Sequence, residues 1–189
     1  ATSITLPLEI LRAAAQASAE HPRPSVQLKF LAEHTGYTEL ADDLILRTEV
    51  VHTQYIPDIL IVPAIWRNPR WVMTHHKWRL SLIRQFYEAG SQICSVGSGS
   101  FLVAQTGVLD GGSATTHWHW FEQFATTFPN IRLRRDQLIT QHDRIFCVGS
   151  VNSIADLMVY LSGQWFSREA AQSIENQFSP EIRRRFNPH

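Results

Sequence analysis

The residues 95–107 have the pattern of a nucleophile elbow, the sharp turn that presents a reactive side chain in many hydrolases. An apolar run, Gln92–Val96, leads into the turn Gly97-Ser98-Gly99, and an amphipathic segment follows. This geometry holds a Cys or Ser at the end of a strand, beside the first turn of a helix. Gly97 stands at that position, and glycine has no side chain to attack a substrate. The sequence therefore predicts the scaffold of a hydrolase without its nucleophile.

Neighbouring polar groups do not replace the missing nucleophile. Ser98 matches only part of a Gly-x-Ser-x-Gly motif, and we expect its hydroxyl to cap the following helix. Cys94 lies within the strand pattern, where a thiol should be buried and unreactive. His117 and His119 are two apart and would point in different directions from a helix, and neither has a carboxylate or thiol at ligand spacing. We expect no metal and no cofactor.

The overall composition is that of a globular protein without a strong electrostatic field. The chain has 189 residues, 44% of them hydrophobic, and a formal net charge of zero, which predicts one domain over residues 1–189 and no attraction to nucleic acid or anionic membrane. Its apolar runs are shorter than the about 18 residues that span a bilayer, and residues 1–11 lack a signal-peptide pattern. Cys94 and Cys147 lie in apolar runs, which favours reduced, buried thiols and a cytoplasmic location.

Strands and helices are predicted to alternate along the chain. Extended segments are predicted at 26–31, 44–51, 59–62, 92–96, 132–133 and 145–148, with an edge strand at 138–141 and a polar loop at 36–43. Helices are predicted near the start, with Thr5 as cap and Pro7 in the first turn, and at 71–89, 98–105, 117–128, 151–164 and 168–177. This alternation predicts an α/β fold with a mostly parallel sheet covered on both faces. Since such domains usually begin with a strand, we expect that an N-terminal strand is truncated or absent.

Several motifs together resemble a known superfamily. They are Asp58-Ile59-Leu60-Ile61-Val62-Pro63, the elbow, Gly107-Val108-Leu109-Asp110-Gly111, Ala114-Thr115-Thr116-His117-Trp118, Phe128-Pro129, residues 149–161 and Arg183-Arg184-Arg185-Phe186. The chain resembles the ThiJ/PfpI branch of the class I glutamine-amidotransferase-like (DJ-1-like) superfamily, and specifically the N-terminal domain of AraC-type transcriptional regulators. The resemblance implies a flavodoxin-like three-layer αβα sandwich that is often a homodimer. It also implies a helix-turn-helix DNA-binding domain beyond residue 189.

The resemblance also assigns catalytic positions, most of which are degenerate here. Enzymes of the superfamily use a Cys at the elbow, a downstream His and an acid near the first helix. By this comparison Gly97 replaces the Cys, His117 matches the His, and Ser3 occupies the place of the acid. Glu9 lies one helical turn away and could substitute, although a surface role is expected for it. We therefore predict no catalytic residue in this chain.

The turn remains suited to ligand binding. Backbone N–H groups of Ser98 and Gly99 should favour an anion or carbonyl oxygen, and α/β folds place ligands at this end of the sheet. We hypothesise a small polar or carboxylate-bearing effector, bound among Gly97, Ser98, Gly99, His117, Ala64 and Ile65. The alternative is a vestigial cleft that is filled by a side chain such as Trp66 or Trp118.

Three functions follow from these observations. The first is a catalytically inactive, ligand-sensing and dimerising domain of an AraC-type regulator, which reaches DNA only through the attached domain and has no membrane partner. The second is a ThiJ/PfpI-type hydrolase or hydratase that acts noncovalently through His117. The third is a dimerisation scaffold that binds no ligand.

Overall fold

The computed structural model describes residues 2–18, 24–41, 44–50, 55–65, 68–75 and 77–178. The described residues group into two compact units. One unit comprises Lys29–Val151, and the other comprises Thr2–Leu28 with the described residues from Asn152 onward. That residues 1–189 form a single domain stays a prediction. The closing motif at 183–186 lies outside the described residues.

The helices and strands alternate as an α/β protein requires. The strands are β1 (Gly36–Ala41), β2 (Leu44–Thr48), β3 (Ile59–Val62), β4 (Gln92–Val96), β5 (Ser113–Ala114), β6 (Arg132–Leu133), β7 (Ile139–His142) and β8 (Ile145–Val148). The α-helices are α1 (Thr2–Ala17), α2 (Pro69–His75), α3 (Lys77–Glu88), α4 (Ser100–Gln105), α5 (Phe121–Thr127), α6 (Ser153–Trp165) and α7 (Arg168–Phe178). Short 3-10 turns at Gly97–Gly99 and Trp118–Trp120 precede α4 and α5.

The central sheet has the strand order β3-β4-β8-β7. Strand β4 runs parallel to both β3 and β8, whereas β7 is an antiparallel edge strand. All four residues of β8 and the last four of β4 are buried, as expected for strands covered on both faces. The predicted mostly parallel sheet is confirmed. Because the carboxyl ends of β3, β4 and β8 meet at one edge, the turns that follow them are brought together there.

Helix α4 lies at the centre of the core of this unit. Its residues Ser100 to Ala104 are buried, and the Phe101 ring is fully enclosed. Phe101 meets Phe124 edge to face, with ring centroids 5.1 Å apart, a favourable arrangement for two aromatic rings. Burial of this helix fixes its start, and therefore the position of the turn at Gly97.

The second unit is a packed group of helices. α1 contacts α6 and α7 through an apolar stripe that includes Ile10, Leu11 and Ala14. The helix already includes Thr2 and continues to Ala17, so the expectation that Thr5 caps it was wrong. Pro7 lies inside the helix, past the first turn, and is buried.

Two other predictions of secondary structure were also wrong. Residues 26–31 form no strand, because within the described part of the chain Leu31 alone among them makes a bridge, to Glu49. The polar segment 36–41 is a strand rather than a loop, since its backbone N–H and C=O groups form hydrogen bonds with β2. The segment predicted to be helical at 71–89 is helical through α2 and α3 up to Glu88, and residue 76 between them lies outside the described residues.

Gly99 should be required for the contact between the elbow and β3. A Cβ at this residue would lie 2.6 Å from the carbonyl oxygens of both Val62 and Pro63. We expect Gly99→Ala to lower the free energy of unfolding by about 2 kcal/mol or more, because two backbone groups would have to move. The control is Gly36→Ala, which meets no atom within 4 Å. Urea denaturation of both variants checks this, and equal stabilities would contradict it.

Candidate functional site

The turn at Gly97 has the strand-turn-helix geometry that the sequence predicts. β4 ends at Val96, Gly97 adopts a φ of +52°, and the 3-10 turn leads directly into α4. A residue with a side chain would pay about 1–2 kcal/mol to adopt this left-handed conformation. α4 has only six residues, so its dipole adds little to the site.

Three of the predicted ligand-binding residues meet at this turn. A Cβ built on Gly97 would lie 3.6 Å from the Ala64 Cβ and 3.7 Å from the His117 Cβ, which is ordinary van der Waals contact. The position therefore has room for a small side chain, and the glycine leaves that room open. Three segments border this open space: the loop after β3, the elbow and the segment before α5.

Ser98 fixes the loop after β3 to the elbow. Its hydroxyl donates to the Ile65 carbonyl and accepts from the Ile65 N–H, both at 2.9 Å. The hydroxyl makes no helix cap, so the expectation of a cap was wrong. The reciprocal pair of hydrogen bonds explains why a buried serine is tolerated here, and it engages the only oxygen with which Ser98 could attack a substrate.

Thr116 holds the segment before His117 against the same turn. Its buried hydroxyl donates to the Gly97 carbonyl at 3.1 Å. Sequence reasoning did not assign this residue to the site. The signal that could have found it is its place directly before His117 in the motif Ala114-Thr115-Thr116-His117-Trp118.

His117 is half-buried and begins the 3-10 turn before α5. Its Nδ1 accepts a hydrogen bond of 3.3 Å from the His119 N–H. In a neutral imidazole whose Nδ1 accepts, Nε2 carries the proton and is a donor. Among the described residues no carboxylate is hydrogen-bonded to this ring, so the structure gives it no acidic partner to orient it as a base.

Of the two side chains that could fill the cleft, only Trp118 lies among the described residues. Trp118 is 71% exposed, so it does not fill the cleft. Trp66 lies outside the described residues. The apolar face of α5 is buried through Phe124 instead, which leaves Trp118 on the surface.

Neither cysteine can serve as a nucleophile. Cys94 and Cys147 are free and buried, as the sequence predicts. Strand register pairs Ser95 with Cys147, so Cys94 points to the opposite face of the sheet from Cys147. Burial raises the pKa of both thiols. A thiol held in its neutral form is not reactive.

The remaining candidates lie elsewhere in the chain. Ser3 is buried and Glu9 is exposed, and both belong to α1 in the other compact unit. Their assignment to the place of the acid stays a prediction.

The described residues contain no group of three or more His, Cys, Asp or Glu side chains that could hold a metal ion. No described helix is long and apolar enough to cross a bilayer.

Comparison with solved structures identifies the class of fold. A transcriptional regulator from Vibrio parahaemolyticus, described as putative in its own report, superposes with a TM-score of 0.83 at 20% identity, over 94% of this chain and 92% of that chain. An AraC family transcriptional regulator from Pseudomonas putida gives a TM-score of 0.77 at 19% identity, over 94% and 92%. DJ-1beta from Drosophila melanogaster gives 0.73 at 13% identity, over 93% and 89%. The chain thus has the flavodoxin-like α/β fold of DJ-1 and ThiJ/PfpI proteins, as the resemblance implied.

Sequence comparison finds relatives among HTH-type transcriptional regulators. The HTH-type transcriptional regulator ArgR of Pseudomonas aeruginosa is 27% identical over 52% of this chain and 30% of its own length. The regulator CdhR of the same organism is 29% identical over 51% of this chain and 28% of its own length. No protein-family model matches the chain. The resemblance to transcriptional regulators is confirmed, and the matched stretch spans under a third of those relatives.

Ser98 and Ser100 provide a matched test of the link between the elbow and the loop after β3. Both are buried, but Ser98 makes two hydrogen bonds to Ile65, whereas the Ser100 hydroxyl has no partner among the described residues. We expect Ser98→Ala to cost about 1–3 kcal/mol of stability and Ser100→Ala to be nearly neutral or stabilising. Chemical denaturation checks both, and a larger loss in Ser100→Ala would contradict the assignment.

Proposed function

We propose that this chain is the ligand-sensing and dimerising domain of an AraC-type transcriptional regulator, without covalent catalysis at residue 97. The observation that carries this proposal is Gly97 itself. It stands at the tip of an elbow with a φ of +52° and has room for a side chain that it lacks. Similarity to HTH-type regulators supports the proposal from the sequence side.

The ligand in this proposal occupies the space that Gly97 leaves open. Ala64 supplies an apolar group, Ile65 is held at the turn through its backbone by Ser98, and the Nε2–H of His117 supplies a donor. Backbone N–H groups of Ser98 and Gly99 add further donors at the turn. These groups suit a small molecule with an acceptor oxygen, such as a carboxylate or an amide, and they require neither metal nor cofactor.

The output of such a domain is a change in an attached DNA-binding domain. We place a helix-turn-helix domain beyond residue 189 and the protein in the cytoplasm, where it reaches DNA. A ligand can drive that change only if it binds two conformations of the regulator with different affinity. A homodimer would present two such DNA-binding domains to a symmetric site.

The noncovalent hydrolase is the weaker alternative. It requires His117 as a general base, yet the Nδ1 of this ring already accepts a backbone hydrogen bond and the ring lacks a carboxylate partner in the described part of the chain. A scaffold without ligand would leave the open space at Gly97 unused.

Two glycines with positive φ allow a controlled test of the ligand site. The wild type is screened by thermal shift against free amino acids, their amides and short carboxylates. For a compound that raises the Tm, Gly97→Ala should raise its Kd at least about tenfold, because the added methyl occupies the site. Gly107→Ala is the control, since its φ of +81° imposes similar strain and no atom lies within 4 Å of its Cβ.

The outcomes separate the three functions. No Tm shift with any compound would favour the scaffold. Equal affinity of the compound for Gly97→Ala and Gly107→Ala would mean that it binds away from Gly97. Turnover of an amide by the wild type that His117→Ala abolishes would favour the hydrolase.

A further inference from the structure

Trp118 is an exposed tryptophan directly beside the elbow. It is 71% exposed, although tryptophan is a residue that is highly buried on average. It follows His117, whose Cβ lies 3.7 Å from the position that a Cβ on Gly97 would take. The centroids of the Trp118 and His117 rings are 5.5 Å apart. The indole therefore stands one ring away from the open space at Gly97.

Ring contacts hold this exposed indole in place. The His119 ring packs against it edge to face, with centroids 5.7 Å apart, and in turn meets the Trp120 ring at 4.9 Å. Trp120 contacts the fully buried Phe101 of α4, also edge to face. The His119 N–H donates to the Nδ1 of His117, which restrains the backbone that carries these rings. A side chain that is ordered before a ligand arrives loses little entropy when the ligand binds.

A second exposed apolar side chain lies on a neighbouring segment. Leu138 is 64% exposed, and its carbonyl accepts a hydrogen bond of 2.7 Å from the Gly149 N–H. A Cβ at Gly149 would lie 3.1 Å from the Thr116 carbonyl oxygen and 3.6 Å from that of Leu138, so these backbones meet at the glycine. Thr116 also donates to the Gly97 carbonyl. Leu138 and Trp118 therefore belong to segments that meet beside the elbow.

The surroundings of the indole favour an apolar partner over a cation. An exposed indole face can bind either one. The acid nearest to Trp118 in the sequence is Glu122, and its carboxylate already forms an ion pair with Arg135. It is therefore not free to add its charge to a cation on the indole. Leu138 adds apolar surface to the neighbourhood, and burial of that surface stabilises an apolar group.

We propose that Trp118 determines the specificity of the elbow site by covering the apolar part of the effector. The effector is then an amphipathic carboxylate or amide. Its acceptor oxygen binds the donors of Ser98, Gly99 and His117, and its aliphatic or aromatic part lies on the indole. This inference rests on the proposed function, since it names the class of molecule that the site binds and the residue that selects it.

A series of straight-chain carboxylates from propanoate to hexanoate tests the proposal. Their Kd values are measured by calorimetric titration of the wild type and of variants. In the wild type, each added methylene that reaches the indole should lower the Kd about threefold to fourfold, the gain expected for burial of one methylene. Trp118→Ala should reduce this gain to less than about 1.5-fold and leave the Kd of propanoate within about twofold of the wild type, because propanoate is too short to use the indole.

Two further variants serve as controls. Trp118→Phe keeps an aromatic face and should retain most of the gain for each methylene. Tyr37→Ala removes an aromatic side chain of similar exposure, 79%, from the separate sheet of β1 and β2, and should leave the gain unchanged. Circular dichroism of each variant shows that it is folded.

A matched pair of probes separates an apolar group from a cation on the indole. 6-Aminohexanoate carries an ammonium group at the end of the hexanoate chain. It should bind the wild type more weakly than hexanoate, because burial of the ammonium group costs its hydration. Tighter binding of 6-aminohexanoate that Trp118→Ala abolishes would assign the indole to a cation and overturn the proposal.

Three other results would overturn it: no binding of hexanoate to the wild type at about 10 mM, the same gain for each methylene in Trp118→Ala as in the wild type, or an equal loss in Tyr37→Ala. Sedimentation equilibrium is run on the same samples. If Trp118→Ala changes only self-association and not the gain for each methylene, the indole covers a second copy of the chain and not a ligand, which also overturns the proposal.

Failure of this inference is distinguishable from failure of ligand sensing. If a compound from the thermal-shift screen binds the wild type and is weakened by Gly97→Ala, while Trp118→Ala leaves the gain for each methylene intact, ligand binding at the elbow stands and the role of Trp118 fails. If no compound raises the Tm and no carboxylate binds, both fail.

Discussion

The close approach of the elbow to the end of β3 is the constraint on which the rest of the site depends. Gly99 allows the turn to lie against the carbonyls of Val62 and Pro63, and Ser98 fastens that contact through Ile65. Thr116 then ties the third segment to the Gly97 carbonyl. Because these contacts involve backbone groups, they hold the site in shape whatever residue stands at its tip.

That independence means that the framework of the elbow does not require a nucleophile at its tip. The nucleophile of an elbow is one side chain on a framework that is stabilised by other residues, so its loss leaves the framework intact. In this chain the position is left as an opening beside Ala64 and His117. The buried, raised-pKa thiols of Cys94 and Cys147 offer no substitute. What remains at the turn is the open space beside Ala64 and His117, in which we propose that the effector binds.

The sequence predicted the parts of the molecule that local patterns specify. Buried apolar runs placed β3, β4 and β8, and the glycine turn placed the elbow and α4, because these patterns depend on residues that are adjacent in the sequence. Residues 26–31 and 36–41 were assigned wrongly, since pairing with a distant partner decides whether such segments become strands. The role of Ser98 was missed for a similar reason: a hydroxyl that could cap a helix instead bonds to Ile65, 33 residues away. Pattern reading likewise gave no sign that Trp118 is exposed.

The most direct test of the central claim is a crystal structure of the chain soaked with the compound that gives the largest thermal shift. We predict noncovalent density in contact with Gly97, Ala64 and His117, with an acceptor oxygen of the compound hydrogen-bonded to the His117 ring. Density continuous with a protein side chain, or a compound bound away from Gly97 while this opening holds another part of the protein, would contradict it.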